Sequence, residues 1–247
     1  MSKVDVIIPA RLDSHRLPNK VLLDMGGKPM IQRVYESAEV AFGSFINCVY
    51  IAVDSQKLFD ECVKFTNNVI LTSNQHKNGT SRIIEALKTT NSDFVINVQG
   101  DEPFVTNDII QKVAYKLLER ESQIVSAYSL IKNYEDFINQ NLVKVVIDKS
   151  SNALYFSREP IPHYVNEIDF HKAPPKKHYG IYGYSADFLN QLKDMDELTL
   201  SGIESLEQLK FLENGFKIKM IEIESFHKGI DTIDDYNLAL EYLKLNK

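Results

Sequence analysis

Arg11, Arg16 and Lys20 fall within ten residues of one another in the stretch Val4-Asp5-Val6-Ile7-Ile8-Pro9-Ala10-Arg11-Leu12-Asp13-Ser14-His15-Arg16-Leu17-Pro18-Asn19-Lys20. An apolar, strand-like run stops at Pro9, and Lys28-Pro29 opens a helical pattern further on. Three cations on one loop at a strand's carboxyl end suit a polyanion such as a triphosphate. Pro9 and Pro18 restrict the loop, so binding sacrifices less conformational entropy. A solvated basic loop is the plainer alternative, but the strand–loop–helix context and Asp13 as the sole intervening acid favour chemistry.

Carboxylates suited to a hard cation lie elsewhere. In Gln99-Gly100-Asp101-Glu102-Pro103, Gly100 permits a sharp turn and Pro103 cannot continue a strand ladder, so Asp101 is presented at a sheet edge. A divalent ion that keeps several waters needs only one or two carboxylates besides phosphate oxygens. An acidic turn or helix cap accounts for this segment equally well. In Gly229-Ile230-Asp231-Thr232, Asp231 precedes the final helix, and helix capping is the commoner use of an Asp there. His76-Lys77-Asn78-Gly79-Thr80-Ser81-Arg82 leads into another helix, where Gly79, backbone amides and Arg82 suit a close approach to phosphate.

The second half offers groups for an acidic, hydroxylated ligand. Arg158, in Tyr155-Phe156-Ser157-Arg158-Glu159-Pro160-Ile161-Pro162, suits a bidentate carboxylate contact that Lys would not reproduce. His178 stands at the entry to a tyrosine-rich run containing Tyr179 and Tyr182, where a structural role is the usual one. Glu204, Glu207 and Gln208 sit on an amphipathic pattern that a solvated helix face would also explain.

These groups need a scaffold, and the first half supplies an alternating one. Strands are expected at 4–9, 47–53, 69–72 and 94–98, with helices at 30–41, 56–65, 81–88 and 109–120. Strands apolar on both faces that alternate with helices imply a parallel sheet covered on both sides, with ligands beyond the carboxyl ends. After Glu121 the pattern changes: strands at 123–130, 144–148, 154–157, 178–184 and 217–223 suggest an antiparallel insertion. A polar loop spans 164–177, one helix runs over 203–214 to Gly215, and Thr232 and Asp235 have capping-box spacing before a helix at 236–244. The economical organisation is a single α/β domain over 1–247, with a nucleotide-binding half (1–122) and a second half (123–247) for the other substrate.

The totals set bounds. With 247 residues, 44% hydrophobic and 25% charged, the chain can bury a full core. A net charge of -6 argues against nucleic acid or an anionic membrane as partner, so any bound anion needs a local basic cluster. Cys48 and Cys62 lack CxxC spacing and read as reduced, buried thiols. No apolar run is long enough for a signal peptide or a membrane span, which points to a cytoplasmic protein. A dinucleotide-dependent dehydrogenase fits the sheet but would want a GxGxxG turn after the first strand, which is missing.

The segments quoted, in this order from Val4 to Asp235, resemble those of the 3-deoxy-D-manno-octulosonate (Kdo) cytidylyltransferases, the CMP-Kdo synthetase family. The resemblance implies the three-layer, Rossmann-like fold of nucleotide-diphospho-sugar transferases. It implies transfer of CMP from CTP to the anomeric hydroxyl of Kdo, with pyrophosphate released, for a bacterial surface polysaccharide such as lipopolysaccharide. Catalytic roles would fall to Arg11, Lys20 and Asp101. Ala10, Arg11, Ser14, Arg16, Lys20, Gly79, Thr80, Arg82 and Gln99 would surround the nucleotide. Arg158, His178, Tyr179, Tyr182, Glu204, Glu207 and Gln208 would orient the sugar, and Asp101 and Asp231 would share magnesium. A homodimer through the antiparallel insertion is implied as well. The chain departs from the family's pattern at Ser81, where an acidic residue is usual, and at Lys210, where Arg is usual. Another acidic sugar as acceptor, or a noncatalytic nucleotide-binding relative, are the alternatives.

Overall fold

The computed structural model describes residues 2–14, 17–41, 45–192, 195, 199–224 and 229–245. Two compact units emerge: Met1–Tyr115 together with Phe226–Lys247, and Lys116–Ser225. This division differs from the expected halves, because the last segment of the chain belongs with the first unit.

The first unit contains β1 (Val4–Ala10), α1 (Met30–Glu39), β2 (Ile46–Val53), α2 (Gln56–Cys62), β3 (Val69–Leu71), α3 (Gly79–Thr90), β4 (Phe94–Asn97) and most of α4 (Asn107–Leu118). The strands lie in the order β3-β2-β1-β4, with each neighbouring pair parallel. All seven residues of β1 are buried. Successive side chains point to opposite faces, so both faces of this strand are covered, as its unbroken apolar run requires. Asp5 is the exception in composition, and its fully buried carboxylate accepts from Asn47 (2.9 Å) and Ser92 (2.5 Å). Such pairing is what makes a buried acid tolerable.

The second unit contains β5 (Ile124–Leu130), α5 (Tyr134–Ile138), β6 (Lys144–Ile147), β7 (Ala153–Ser157), β8 (Lys176–Ser185), α6 (Ala186–Leu192), α7 (Thr199–Glu204), α8 (Gln208–Glu213) and β9 (Ile218–Glu222). Strand β5 runs antiparallel to β8 and parallel to β9, while β6 is antiparallel to both β7 and β8. The α/β class with antiparallel additions is therefore the one expected from the sequence. Two expectations fail here. Lys176 and Lys177 belong to β8 rather than to the preceding loop. The single helix over 203–214 is two, because Ser205 adopts a left-handed conformation (φ 53°) between α7 and α8. Periodicity could not register that break, since Ile203 continues the apolar pattern yet is 72% exposed.

The final helix, α9 (Ile233–Leu245), returns to the first unit. Thr232 and Asp235 form a reciprocal cap: Thr232 N–H donates to the Asp235 carboxylate (2.9 Å) and Asp235 N–H to the Thr232 hydroxyl (3.2 Å). In the first unit, Leu17, Met25, Met30, Ile230 and Ala239 form one buried cluster, with Phe104 and Tyr236 packed against it. No helix among the described residues is long and apolar enough to cross a membrane.

Candidate active site

The apolar cluster explains how distant segments reach one place. Leu17 anchors the turn that leads to Lys20, Ile230 precedes Asp231, and Phe104 follows the Asp101 turn. The Ile230 N–H also donates to the Asp101 carbonyl (3.0 Å), which stitches the two acidic segments together. A Cβ on Gly229 would come within 3.1 Å of the Glu102 carboxylate, so glycine lets this strap lie flat. The outcome is a single ammonium between two carboxylates. Lys20 Nζ lies 2.5 Å from Asp101 Oδ2 and 3.0 Å from Asp231 Oδ1. Asp101 Oδ2 and Asp231 Oδ1 can therefore be no farther apart than those lengths laid end to end.

Electrostatics keep Lys20 charged. Burial of Lys20 opposes its charge, but the charges and hydrogen bonds of Asp101 and Asp231 outweigh that and hold its pKa above the ordinary lysine value. With capping done by Thr232, the Asp231 side chain is on Lys20, which removes the alternative role considered for it.

The triad opens on a cleft of about 350 Å³ in the first unit. Ala10, Arg11, Ser14, Gly79, Arg82 and Gln99 line it along with the triad. Thr80 does not line it; it is buried in the first turn of α3. Arg16 lies outside the described residues. Close approach of backbones shapes the walls: a Cβ on Gly100 would meet the Pro9 carbonyl at 3.1 Å, and one on Gly79 would meet Pro9 Cγ at the same distance. Among the lining residues Arg11, Lys20, Lys77 and Arg82 face two carboxylates, Asp101 and Asp231. This is the local excess of positive charge that a chain of net charge -6 needs to hold an anion.

Loop supports were missed in the sequence. Asp54, just beyond β2, accepts the Leu12 N–H with both oxygens (3.0 and 3.1 Å) and so steadies the Arg11 loop. Its place at a strand's carboxyl end was a usable signal. His76 and Lys77 stand in the cleft wall, in the loop whose Gly and Arg drew attention. Arg82 is buried, and burial pulls its pKa down; Nη1 donates to Thr72 Oγ1 (2.6 Å) and the Ser73 carbonyl (3.1 Å). Ser81 serves the start of α3, its N–H donating to the Asn78 side chain (2.8 Å) and its hydroxyl to the Asn78 carbonyl (3.0 Å).

The residues expected to orient a sugar all lie in the second unit. Glu204 gathers the Ser157 hydroxyl (2.7 Å) and the Arg158 N–H (3.1 Å) on its carboxylate. Arg158 in turn donates Nε to the Glu204 carbonyl and Nη1 to the Gln140 carbonyl, each at 3.3 Å. His178 is 8% exposed, packed edge-on to Phe156, with Nε2 3.0 Å from Ser126 Oγ. Burial drives its pKa down to about 3, so its ring is neutral. Tyr182 lies 5.5 Å from that ring, and burial first, then the charge of Glu207, raises its pKa. Tyr179 is buried with its hydroxyl 3.1 Å from Ser129 Oγ, and Gln208 is buried at the start of α8. The neighbouring Lys144 is fully buried; its ammonium donates to the carbonyls of Asn139, Leu142 and Arg158, fixing the backbone at Arg158.

A parallel sheet with cations and paired carboxylates beyond its strand ends marks an α/β protein built to bind a phosphorylated, nucleotide-like ligand. Comparison with known proteins narrows this. A family model for cytidylyltransferases matches residues 6–221, and the chain belongs to that family. It is 42% identical over 248 residues to the 3-deoxy-manno-octulosonate cytidylyltransferase of Francisella tularensis subsp. novicida (strain U112), covering 95% of this chain and 96% of that protein. It is 41% identical over 251 residues to the protein of that name from Pseudoalteromonas translucida (strain TAC 125), covering 97% of each. The solved structure of CMP:2-keto-3-deoxy-manno-octonic acid synthetase complexed with CTP superimposes with a TM-score of 0.94 at 34% identity, covering 100% of both chains.

Proposed function

We propose that this enzyme transfers CMP from CTP to the anomeric hydroxyl of Kdo and releases pyrophosphate. The observation that carries the reading is the meeting of Asp101 and Asp231 on Lys20 at the mouth of a basic cleft. Full-length relatives of the same named activity support the identity of both substrates.

In this reaction the sugar oxygen attacks the α-phosphorus, an O–P bond forms, and the bond to the β-phosphate bridging oxygen breaks. The hydroxyl proton passes to solvent as the bond forms, and pyrophosphate leaves as the anion. Positioning and charge neutralisation dominate such chemistry. Arg11, Arg82 and Lys77 offset the triphosphate's charge, and Lys20, held cationic, stands by the reacting end. The donor set fits magnesium: two hard carboxylate oxygens, converging, with phosphate and water to complete the shell. Asp101 and Asp231 would hold the ion, which supplies charge neutralisation at the phosphates and acidifies a bound hydroxyl. Arg158, with Glu204, Glu207 and Gln208, would orient the sugar, and the buried His178, Tyr179 and Tyr182 would support that group from the strand.

The free thiols Cys48 and Cys62 are in keeping with a reducing compartment, and we place the enzyme in the cytoplasm. A homodimer through the second unit, as the family resemblance implies, completes the reading. Sedimentation that finds monomer alone rejects the dimer. The reading as a whole is tested by pyrophosphate release from CTP, UTP and ATP against Kdo, with and without magnesium. Turnover is expected with CTP, Kdo and magnesium together; its absence with every nucleotide rejects the proposal.

A further inference from the structure

Two residues on one face of α3, Arg82 and Glu85, grip the loop between β3 and α3 from both sides of a single residue. Arg82 Nη1 donates to the Ser73 carbonyl (3.1 Å), while the Glu85 carboxylate accepts the Ser73 N–H (3.3 and 3.2 Å). The same carboxylate, through Oε2, also meets His76 Nε2. An ionised carboxylate only accepts, so Nε2 carries a proton, and Nδ1 is left as the ring's acceptor for a donor group of a ligand. The His76 hydrogen bond is the main reason the Glu85 carboxyl is held below its usual pKa, so this acceptor stays ionised. His76 is 19% exposed and stands in the cleft wall beside Lys77 and Gly79. Glu85 does not line the cleft.

We infer that His76 is a nucleotide-contacting residue and that Glu85 is its positioning residue, acting on the nucleotide only through the imidazole. The inference rests on the reading of this cleft as the CTP site. An imidazole held at Nε2 presents Nδ1 in one orientation, so the nucleotide need not immobilise a loop side chain when it binds. The contact forms in the ground state, so it contributes to binding of CTP rather than to the chemical step.

The test is a double-substitution cycle with His76→Ala, Glu85→Gln and the pair, each measured for kcat, for KM of CTP and Kdo, and for CTP binding by calorimetry. About a tenfold weakening of CTP binding and a matching rise in its KM are expected for His76→Ala, the size of one neutral hydrogen bond. The kcat and the KM for Kdo stay within about twofold. Glu85→Gln is expected to weaken CTP binding in the same direction, and the pair no more than His76→Ala, because the second residue acts through the first. Unchanged CTP affinity in folded His76→Ala overturns the inference, as do additive effects in the pair or a parallel fall in kcat. If Glu85→Gln does not fold, His76→Ala on its exposed loop decides the matter. Failure of the wild-type enzyme to turn over CTP and Kdo would sink the functional reading instead, while calorimetry with CTP would still judge the clamp.

Discussion

Lys20 and His178 illustrate opposite fates of a buried titratable side chain. Lys20 keeps its charge because two carboxylates come with it, whereas His178 has rings and one hydroxyl around it and stays neutral. Replacing Asp101 by Asn removes one charge from the candidate metal cradle but leaves Lys20 paired with Asp231. Turnover is expected to fall about a thousandfold while the thermal midpoint stays near that of the wild type. Pyrophosphate release and a circular-dichroism melt check this, and near-normal magnesium-dependent turnover would refute Asp101's role. His178 makes a pH prediction. Its pKa is about 3 folded and 6.5 ordinarily, so between those values the unfolded chain binds the extra proton and stability falls as pH falls. In His178→Gln that loss is expected to shrink by about 1.4 kcal/mol per pH unit across the window, as read by urea unfolding at a series of pH values.

At the scale of elements, function depends on how the Leu17–Ile230 cluster seats three separate segments. The turn at Lys20, the Asp101 segment and the strap to α9 each bring an apolar residue to that cluster and a charged one to the cleft. Ile230 is 1% exposed, so truncation to Ala leaves a cavity beneath Asp231. Ile230→Ala is expected to cost about 3 kcal/mol of unfolding free energy and to lower kcat, although the side chain makes no part of the cleft lining. Denaturant unfolding together with steady-state kinetics measures both, and full activity would show that the strap needs no such seat. The strands and helices of the first unit were readable because each apolar run is local. The break at Ser205 was not, because it lets Glu204 reach Ser157 and Arg158, a demand that no local pattern encodes.

For the whole molecule, the contrast is between a chain of net charge -6 and a cleft rich in cations. Overall charge therefore argues against an extended polyanion as partner, and local grouping is what marks a small anionic ligand. The pairing of both aspartates with Lys20 also means that the fold does not rely on a metal to relieve carboxylate repulsion. Chelation by EDTA is expected to abolish turnover reversibly, with magnesium restoring it, while the thermal midpoint moves by less than about 2 °C. A large loss of stability would show that the ion is structural.

Read alone, the chain determined the alternation of buried strands with helices, because burial on two faces writes itself into continuous apolar runs. It also placed Arg11 and Asp101 just beyond strand ends, because each closely follows an apolar run. Tertiary structure alone decided that Lys20 meets partners 81 and 211 residues away, that His178 is sealed among rings, and that Lys144 is a buried clamp. Those outcomes turn on desolvation and on contacts between remote segments, which exist only once the chain has closed on itself.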